Sequence, residues 1–133
     1  MKTECTFSVE SFEPVDWTPE ISTGLATGHV HMIKTYAGGL EGRSITQFSS
    51  AFDMERGIGT YLALESFEGT VDGKQGAFNY AHSATTDGGP DRLNEFFLIV
   101  PSSGTGELAG LAGTGRMIID PDGTHRLEIE YAL

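Results

Sequence analysis

Apolar and polar residues alternate on both sides of Asp72-Gly73, and this is the most informative pattern in the chain. A two-residue Asp-Gly loop between alternating runs is the strongest short-range signal for a β-hairpin, so residues 58–71 and 74–86 are predicted to pair. The turn places Glu65 opposite Tyr80 in the predicted register. Because successive strand side chains point to opposite faces, one face of the hairpin carries an aromatic and polar set. Its members are Tyr61, Glu65, Phe67, Phe78, Tyr80 and His82.

Similar strand-like runs occur along the rest of the chain, joined mostly by short turn sequences. The predicted strands are residues 2–12, 26–36, 41–51, 58–71, 74–86, 93–101, 114–120 and 124–132. The turn after the second run lies either at Gly38-Gly39 or at Glu41-Gly42. Both positions predict the same grouping of side chains on one face of the second hairpin. That face would hold His29, His31, Ile33, Thr35, Ser44, Thr46 and Phe48.

Eight antiparallel strands leave two exposed sheet edges unless the sheet closes on itself. The unbroken succession of hairpins therefore predicts an all-β fold, an eight-stranded antiparallel up-and-down β-barrel of lipocalin-like architecture. A β-sandwich is the main alternative. Residues 102–113 are expected to form a helical turn or two at most, where glycines let the chain cross one end. Residues 13–25 contain Trp17, which is expected either to cover the barrel mouth as a lid or to plug a small core.

Composition narrows the possible partners. The 133 residues are expected to form one domain, residues 1–133. The net charge of −11 disfavours nucleic acid and anionic membrane surfaces as partners. Cys5 is the only cysteine, which excludes an internal disulfide and a cysteine-based metal cage. The first residues lack the apolar segment of a signal peptide, so a cytoplasmic location is expected.

Three separated motifs carry a family resemblance. They are Lys34-Thr35-Tyr36-x-Gly38-x-Leu40-Glu41-Gly42, Glu65-x-x-x-Gly69-x-x-x-Gly73-x-x-Gly76-x-Phe78 and the glycine-rich run 102–113. Together they resemble a bacterial group, domain-of-unknown-function family 3224. Gly39 departs from that family, where an acidic residue is expected. The resemblance implies an allene oxide cyclase-like barrel, whose relatives bind small apolar molecules and in some cases cyclise or isomerise them. It implies no activity for the family itself, because fold is a weak guide to chemistry.

Glu65 and His82 are the candidate catalytic residues. A carboxylate and an imidazole among aromatic rings suggest a lined cavity in which Glu65 acts as a general acid or base. His82 is expected to hydrogen-bond Glu65 or a ligand, or else to be a satisfied interior histidine. The alternative for Glu65 is that this face is exposed and the carboxylate is a surface charge. The candidate ligand-binding residues are Tyr61, Phe67, Phe78, Tyr80 and Trp17.

A metal site is the weaker interpretation of the histidines. His29-x-His31 would need a third ligand such as Glu65 or His82. The glutamate of a cupin motif is missing, with Thr35 and Tyr36 in its place. No metal and no cofactor are predicted, and the glycine-rich run does not have the spacing of a dinucleotide-binding loop.

Three functions follow from these observations. The first is binding of a small apolar or amphipathic molecule in the barrel interior. The second adds catalysis, with the barrel acting as a cyclase or isomerase and Glu65 moving a proton. The third is a non-catalytic protein with a filled barrel. Under each of these three functions, apolar side chains on the outer wall predict a homo-oligomer, and they are those of Leu62, Leu64 and Ala81.

Overall fold

The computed structural model describes residues 1–133 and contains eight strands in one closed antiparallel barrel. Each strand pairs with its chain neighbours, and the first pairs with the last to close the ring. The strands are β1 (Lys2–Pro14), β2 (Ala26–Gly38), β3 (Leu40–Asp53), β4 (Ile58–Val71), β5 (Lys74–Asp87), β6 (Leu93–Ile99), β7 (Ala112–Ile119) and β8 (His125–Ala132). A single 3₁₀ turn spans Gly106–Leu108. The predicted all-β up-and-down barrel is confirmed, and the sandwich is excluded.

The β4–β5 hairpin has the predicted register, with Glu65 opposite Tyr80. Asp72 and Gly73 both have positive φ, at +48° and +85°, as the two central residues of a type I′ turn require. The face predicted to carry the aromatic and polar set points into the barrel, and all of its members are buried. Glu65 is therefore an interior residue, and its alternative as a surface charge is excluded.

The β2–β3 hairpin differs from the prediction by one residue. The chain reverses at Gly39 alone, so that Lys34 pairs with Ser44. Gly38 adopts a φ of +111°, which an L side chain rarely does, and this permits the tighter reversal. Because a shift of one residue moves every side chain to the other face, the predicted grouping was wrong. The outward residues are His29, His31, Ile33 and Thr35, whereas Lys34, Tyr36, Ser44, Thr46 and Phe48 point inward.

One end of the barrel is packed shut, and we call it the closed end. It contains the turns at Gly39 and Asp72-Gly73 and is crossed by residues 100–111. Leu108 and Leu111 enter from this segment and are 0% and 1% exposed. They belong to an apolar core of 15 buried residues. The expectation that the glycine-rich run crosses one end with little helix is confirmed.

The opposite end contains residues 15–25, 54–57, 88–92 and 120–124, and we call it the open end. Inward-facing side chains near it are only half-buried, namely Val30, Phe48, Phe52, Met117, Ile119 and His125. Strand pairing is sparse here, because β6 and β7 share one paired position, Leu98 with Thr114. Glu95 bridges this seam, since its Oε2 accepts the backbone N–H of Met117 at 3.0 Å.

The outer wall carries a patch of apolar side chains across β4, β5 and β6. Leu62, Leu64 and Phe96 are exposed, and Ala81 lies between them on β5. This is the surface from which the sequence predicts a homo-oligomer, and that association stays a prediction. The structure contains no helix with the length and apolar character that crossing a membrane requires.

Gly42 and Gly69 face each other across β3 and β4 at very short range. A Cβ atom on Gly69 would lie 2.0 Å from the carbonyl oxygen of Glu41, and its φ of +148° is unfavourable for an L side chain. We predict that Gly69→Ala lowers the free energy of unfolding by about 1–3 kcal/mol. Gly28→Ala is the control, because its Cβ would meet no atom within 4 Å. Urea unfolding followed by circular dichroism measures both, and equal losses would contradict the prediction.

Candidate functional site

The polar centre of the barrel is the carboxylate of Glu65, which is 1% exposed. Three donors from three other strands converge on it. Lys34 on β2 donates from Nζ to Oε1 at 2.5 Å, and Tyr80 on β5 donates its hydroxyl to the same oxygen at 3.1 Å. Thr46 on β3 donates its hydroxyl to Oε2. The carboxylate thus joins its own strand, β4, to β2, β3 and β5 through side chains alone.

A chain of hydroxyl groups leads away from Glu65 towards the closed end. The hydroxyl of Tyr36 lies 2.7 Å from that of Tyr80 and 2.8 Å from Oγ of Ser44. Because a carboxylate only accepts, Tyr80 donates to Glu65, Tyr36 donates to Tyr80, and Ser44 donates to Tyr36. Burial, together with the negative charge of Glu65, raises the pKa of both tyrosines well above its usual value, so both phenols stay neutral.

The ammonium group of Lys34 has little contact with water. Its side chain is 11% exposed, and Nζ lies 4.8 Å from the centre of the Phe7 ring in a cation–π contact. Taking both members of an ion pair out of water costs several kcal/mol per ion before their attraction offsets it. The Lys34–Glu65 pair therefore stabilises the folded protein no more than well-packed apolar side chains of similar volume would.

His82 has a partner other than the predicted one. Its Nε2 lies 2.7 Å from Oε2 of Glu95 on β6, and it makes no hydrogen bond to Glu65. Burial lowers the pKa of His82 below its usual value, although Glu95 partly offsets this effect. The neutral ring must donate Nε2–H to the carboxylate, which leaves the lone pair of Nδ1 without a protein donor. No buried side-chain nitrogen or oxygen is left unpaired, so Nδ1 is within reach of solvent.

Aromatic rings line the interior between this layer and the open end. The ring of Tyr61 stacks on Phe48 at 5.2 Å between centroids and meets the His82 ring edge-on at 5.5 Å. The ring of Phe97 lies 5.8 Å from that of His82 between centroids, in a tilted arrangement. At the rim, Arg92 donates from Nε to the hydroxyl of Tyr61 at 3.1 Å.

The predicted site residues separate into two groups in the structure. Tyr61 and His82 face inward above the Glu65 layer, and Glu65 and Tyr80 form that layer, with Tyr80 also packed against the apolar core. Phe67 and Phe78, in contrast, are 1% and 2% exposed and belong to the core of the closed end, so they do not line accessible space. The predicted role of Phe67 and Phe78 in lining a cavity is therefore corrected to core packing.

Trp17 is neither packed in the barrel nor placed over its mouth. The side chain is 71% exposed and lies beside a groove of about 410 Å³ on the outer wall, lined also by Leu62 and Thr60. The outward direction of Leu62 and Thr60 places this groove outside the barrel. The interpretations of Trp17 as a lid and as a plug are therefore both corrected, because its side chain lies on the outer wall. Leu108 and Leu111 are the residues that fill an end of the barrel, and they fill the closed end.

Several site residues were missed by the sequence reasoning. The predicted β2–β3 register is wrong by one residue, and it places Lys34 and Tyr36 on the face opposite to Thr46, whereas the three side chains share the inner face. Glu95 lies in the short strand β6, where Asn94 has a φ of +52° and interrupts simple alternation. The pair Gly38-Gly39 is the signal that could have identified Lys34, because glycines permit a reversal at a single residue and that reversal turns Lys34 inward.

The two other histidines of interest lie on the outer wall. Nε2 of His29 is 3.1 Å from Nε2 of His31, and Nδ1 of His29 is 2.8 Å from Oγ of Ser49. Neither Glu65 nor His82 can join them, because both of those side chains point inward. No group of three or more histidine, cysteine, aspartate or glutamate side chains is placed to hold a metal ion.

These features define a closed eight-stranded barrel with a buried lysine–glutamate pair at its centre. The chain belongs to the DUF3224 family, described as proteins of unknown function, whose sequence model matches residues 3–131. It is similar to a solved structure from Shewanella oneidensis MR-1, a protein of unknown function from the same family. The two share 32% identity with a TM-score of 0.87, over 100% of this chain and 96% of the other. No curated protein matches the chain. The resemblance noted from three motifs is confirmed.

We predict that breaking the buried ion pair is costly. Lys34→Met leaves the Glu65 charge buried without its cation, so the free energy of unfolding is expected to fall by about 3–5 kcal/mol. The double variant Lys34→Met/Glu65→Leu should recover a large part of this loss. Arg43→Ala is the control, since it breaks an exposed pair with Glu68 that is worth about 0–1 kcal/mol. Urea unfolding measures all three, and similar losses for Lys34→Met and Arg43→Ala would contradict the prediction.

His82 should make stability depend on pH. Because the pKa of His82 is lower in the folded protein, the unfolded chain binds more protons than the folded chain does at pH values just below about 6.5, the ordinary pKa of histidine. The contribution of neutral, buried His82 to stability is therefore complete above about pH 6.5, and it decreases as the pH falls below this value. We predict a decrease in unfolding free energy between about pH 7.5 and 5.5 that is smaller in His82→Gln. The exposed His31→Gln is the matched control, and an unchanged slope in His82→Gln would contradict the prediction.

Proposed function

We propose that the protein binds a small amphipathic molecule in the open half of its barrel interior. The observation that carries the proposal is the division of the interior into two unlike halves. The closed end is filled by its own core. Above the Glu65 layer, inward-facing side chains near the rim such as Val30, Phe48 and Met117 are only half-buried, whereas Tyr61, Ala63 and His82 beneath them are buried. Polar groups accompany aromatic rings in this half. A mostly apolar wall with a few placed polar groups is the usual form of a small-molecule site.

The wall of this half offers an apolar surface to a ligand. Val30, Met32, Phe48 and Tyr61 face inward on three successive strands. Ala63 lies between Phe48 and His82 in the paired register, and its small side chain takes up little of the interior there. The arrangement favours a ring system or a short apolar chain as the part of the ligand that enters.

The floor of the same half supplies the polar groups. The Lys34–Glu65 pair lies there, and His82 turns the unshared lone pair of Nδ1 towards reachable space. A buried pair of this kind is weak support for stability, because well-packed apolar residues do as well or better. Its presence beside an accessible half favours a role in ligand binding.

A cyclase or isomerase acting in the same half is the second candidate. Glu65 is held by three donors, and both of its oxygens are occupied. His82 has the freer atom, since neutral Nδ1 accepts a proton without first breaking a protein hydrogen bond. If the protein is a cyclase or isomerase, His82 is therefore a better candidate for proton transfer than Glu65. Glu65→Gln would abolish turnover while sparing binding if the carboxylate itself were the acid or base.

The proposal is tested with the neutral fluorescent probe N-phenyl-1-naphthylamine and with native mass spectrometry of protein taken directly from its host. We expect saturable probe binding that Ala63→Phe weakens by at least about tenfold, because the added ring fills the open half. Leu64→Phe is the matched control, one residue along on the outer wall, and should bind as the wild type does. Val30→Trp nearer the rim serves as a second blocking variant if Ala63→Phe does not fold.

The result that would overturn the proposal is equally definite. Failure of the wild type to bind the probe, together with the absence of extra mass in the native spectrum, would indicate a filled barrel. Equal binding by Ala63→Phe and Leu64→Phe, with both folded by circular dichroism, would place any bound probe on the outer surface.

A further inference from the structure

Arg92 differs from every other arginine of the chain in its electrostatic surroundings. Four of the arginines form salt bridges with carboxylates on the surface, namely Arg43 with Glu68, Arg56 with Asp53, Arg116 with Glu128 and Arg126 with Asp120. Arg92 forms no salt bridge, although the chain has 19 acidic residues against 8 basic ones. In a protein of net charge −11, a half-buried guanidinium without a carboxylate partner needs an explanation.

The nearest polar contacts leave most of its donors free. Nε donates to the hydroxyl of Tyr61 at 3.1 Å, and this is the only side-chain hydrogen bond of Arg92. A guanidinium has five N–H donors in a fixed plane, so four remain on the terminal nitrogens. Glu95 also lies near Tyr61, but it forms no salt bridge with Arg92, and its Oε2 bonds His82 and the backbone of Met117.

The position of Arg92 directs this charge at the open half of the interior. It ends the 88–92 loop at the rim, and its guanidinium lies 5.9 Å from the centre of the Tyr61 ring, which points inward. Burial is the main cause of the lowered pKa of His82 and of His125, and the charges of Lys34 and Arg92 lower the pKa of each further. Arg92 and Lys34 thus both lie near enough to the two histidines to act on their charge, and Glu95 is the carboxylate in contact with His82.

We infer that Arg92 binds the anionic head group of an amphipathic ligand at the rim, while the apolar part of that ligand enters the open half. The inference rests on the proposed function and specifies its ligand class. The planar fork of an arginine matches the two oxygens of a carboxylate, and such charge-assisted pairs are the stronger hydrogen bonds. Tyr61 holds the guanidinium in place through Nε and leaves the outer edge of the fork for the ligand.

The test compares three ligands of equal length, decanoate, decanol and decylammonium, each titrated against the wild type by calorimetry. We expect decanoate to bind at least about tenfold more tightly than decanol, and decylammonium to bind least. In Arg92→Gln this preference for decanoate should disappear while the affinity for decanol stays the same. Arg92→Lys keeps the charge without the fork and should retain part of the preference.

Arg116→Gln is the matched control, because Arg116 lies on the outer wall in a pair with Glu128 and should not affect ligand choice. Equal affinity of the wild type for decanoate and decanol would overturn the inference and leave the proposed function standing. A preference for decanoate that persists in Arg92→Gln, or that is lost equally in Arg116→Gln, would also overturn it. Binding of none of the three ligands would count against the proposed function as well. Circular dichroism and thermal melting show that each variant is folded.

Discussion

The carboxylate of Glu65 is the interaction on which the arrangement of the barrel interior depends. It receives Lys34, Thr46 and Tyr80 from three different strands, so one buried charge sets the positions of four neighbouring strands relative to one another. Removing a single donor leaves a charged group in a medium where it is poorly solvated, whereas removing both charges together does not. The hydroxyl chain through Tyr36 carries the same constraint to Ser44. The polar layer therefore acts as a unit and not as a set of separate contacts.

This layer separates two halves that differ in packing and therefore in what they can do. Below it, residues 100–111 close the barrel with two leucines and complete the apolar core. Above it, the barrel has loops but no comparable plug, and the β6–β7 seam has a single paired position. Glu95 compensates at this seam by bonding the backbone of β7 and the ring of His82 with one oxygen. The residue that orients His82 thus also holds the wall together, which links the chemistry of the open half to its stability.

The electrostatics of the molecule follow the same division. The outer surface is strongly acidic overall, and nearly all arginines there are neutralised by carboxylates. Arg92 at the rim is the exception, and its field reaches the two inward-facing histidines. A guanidinium without a carboxylate partner at the mouth offers an anionic group a charge-assisted contact that a cationic group cannot use, and this distinction is independent of the shape of the cavity. A shared fold does not specify a function, which resides in the side chains of the site.

The sequence by itself determined the eight strands, the closed up-and-down barrel and the β4–β5 register. Each depends on local signals, since the Asp72-Gly73 turn and a two-residue period specify which side chains of one hairpin share a face. Only the tertiary structure decided the partners of Glu65, because Lys34 and Glu65 lie on strands separated by β3, and their meeting depends on where the chain reverses near Gly39. The contact of His82 with Glu95 and the absence of a carboxylate partner for Arg92 also depend on how separate strands and loops come together. Contacts across a closed sheet depend on the register of every intervening strand, and a shift of one residue at a glycine turn exchanges the inside for the outside.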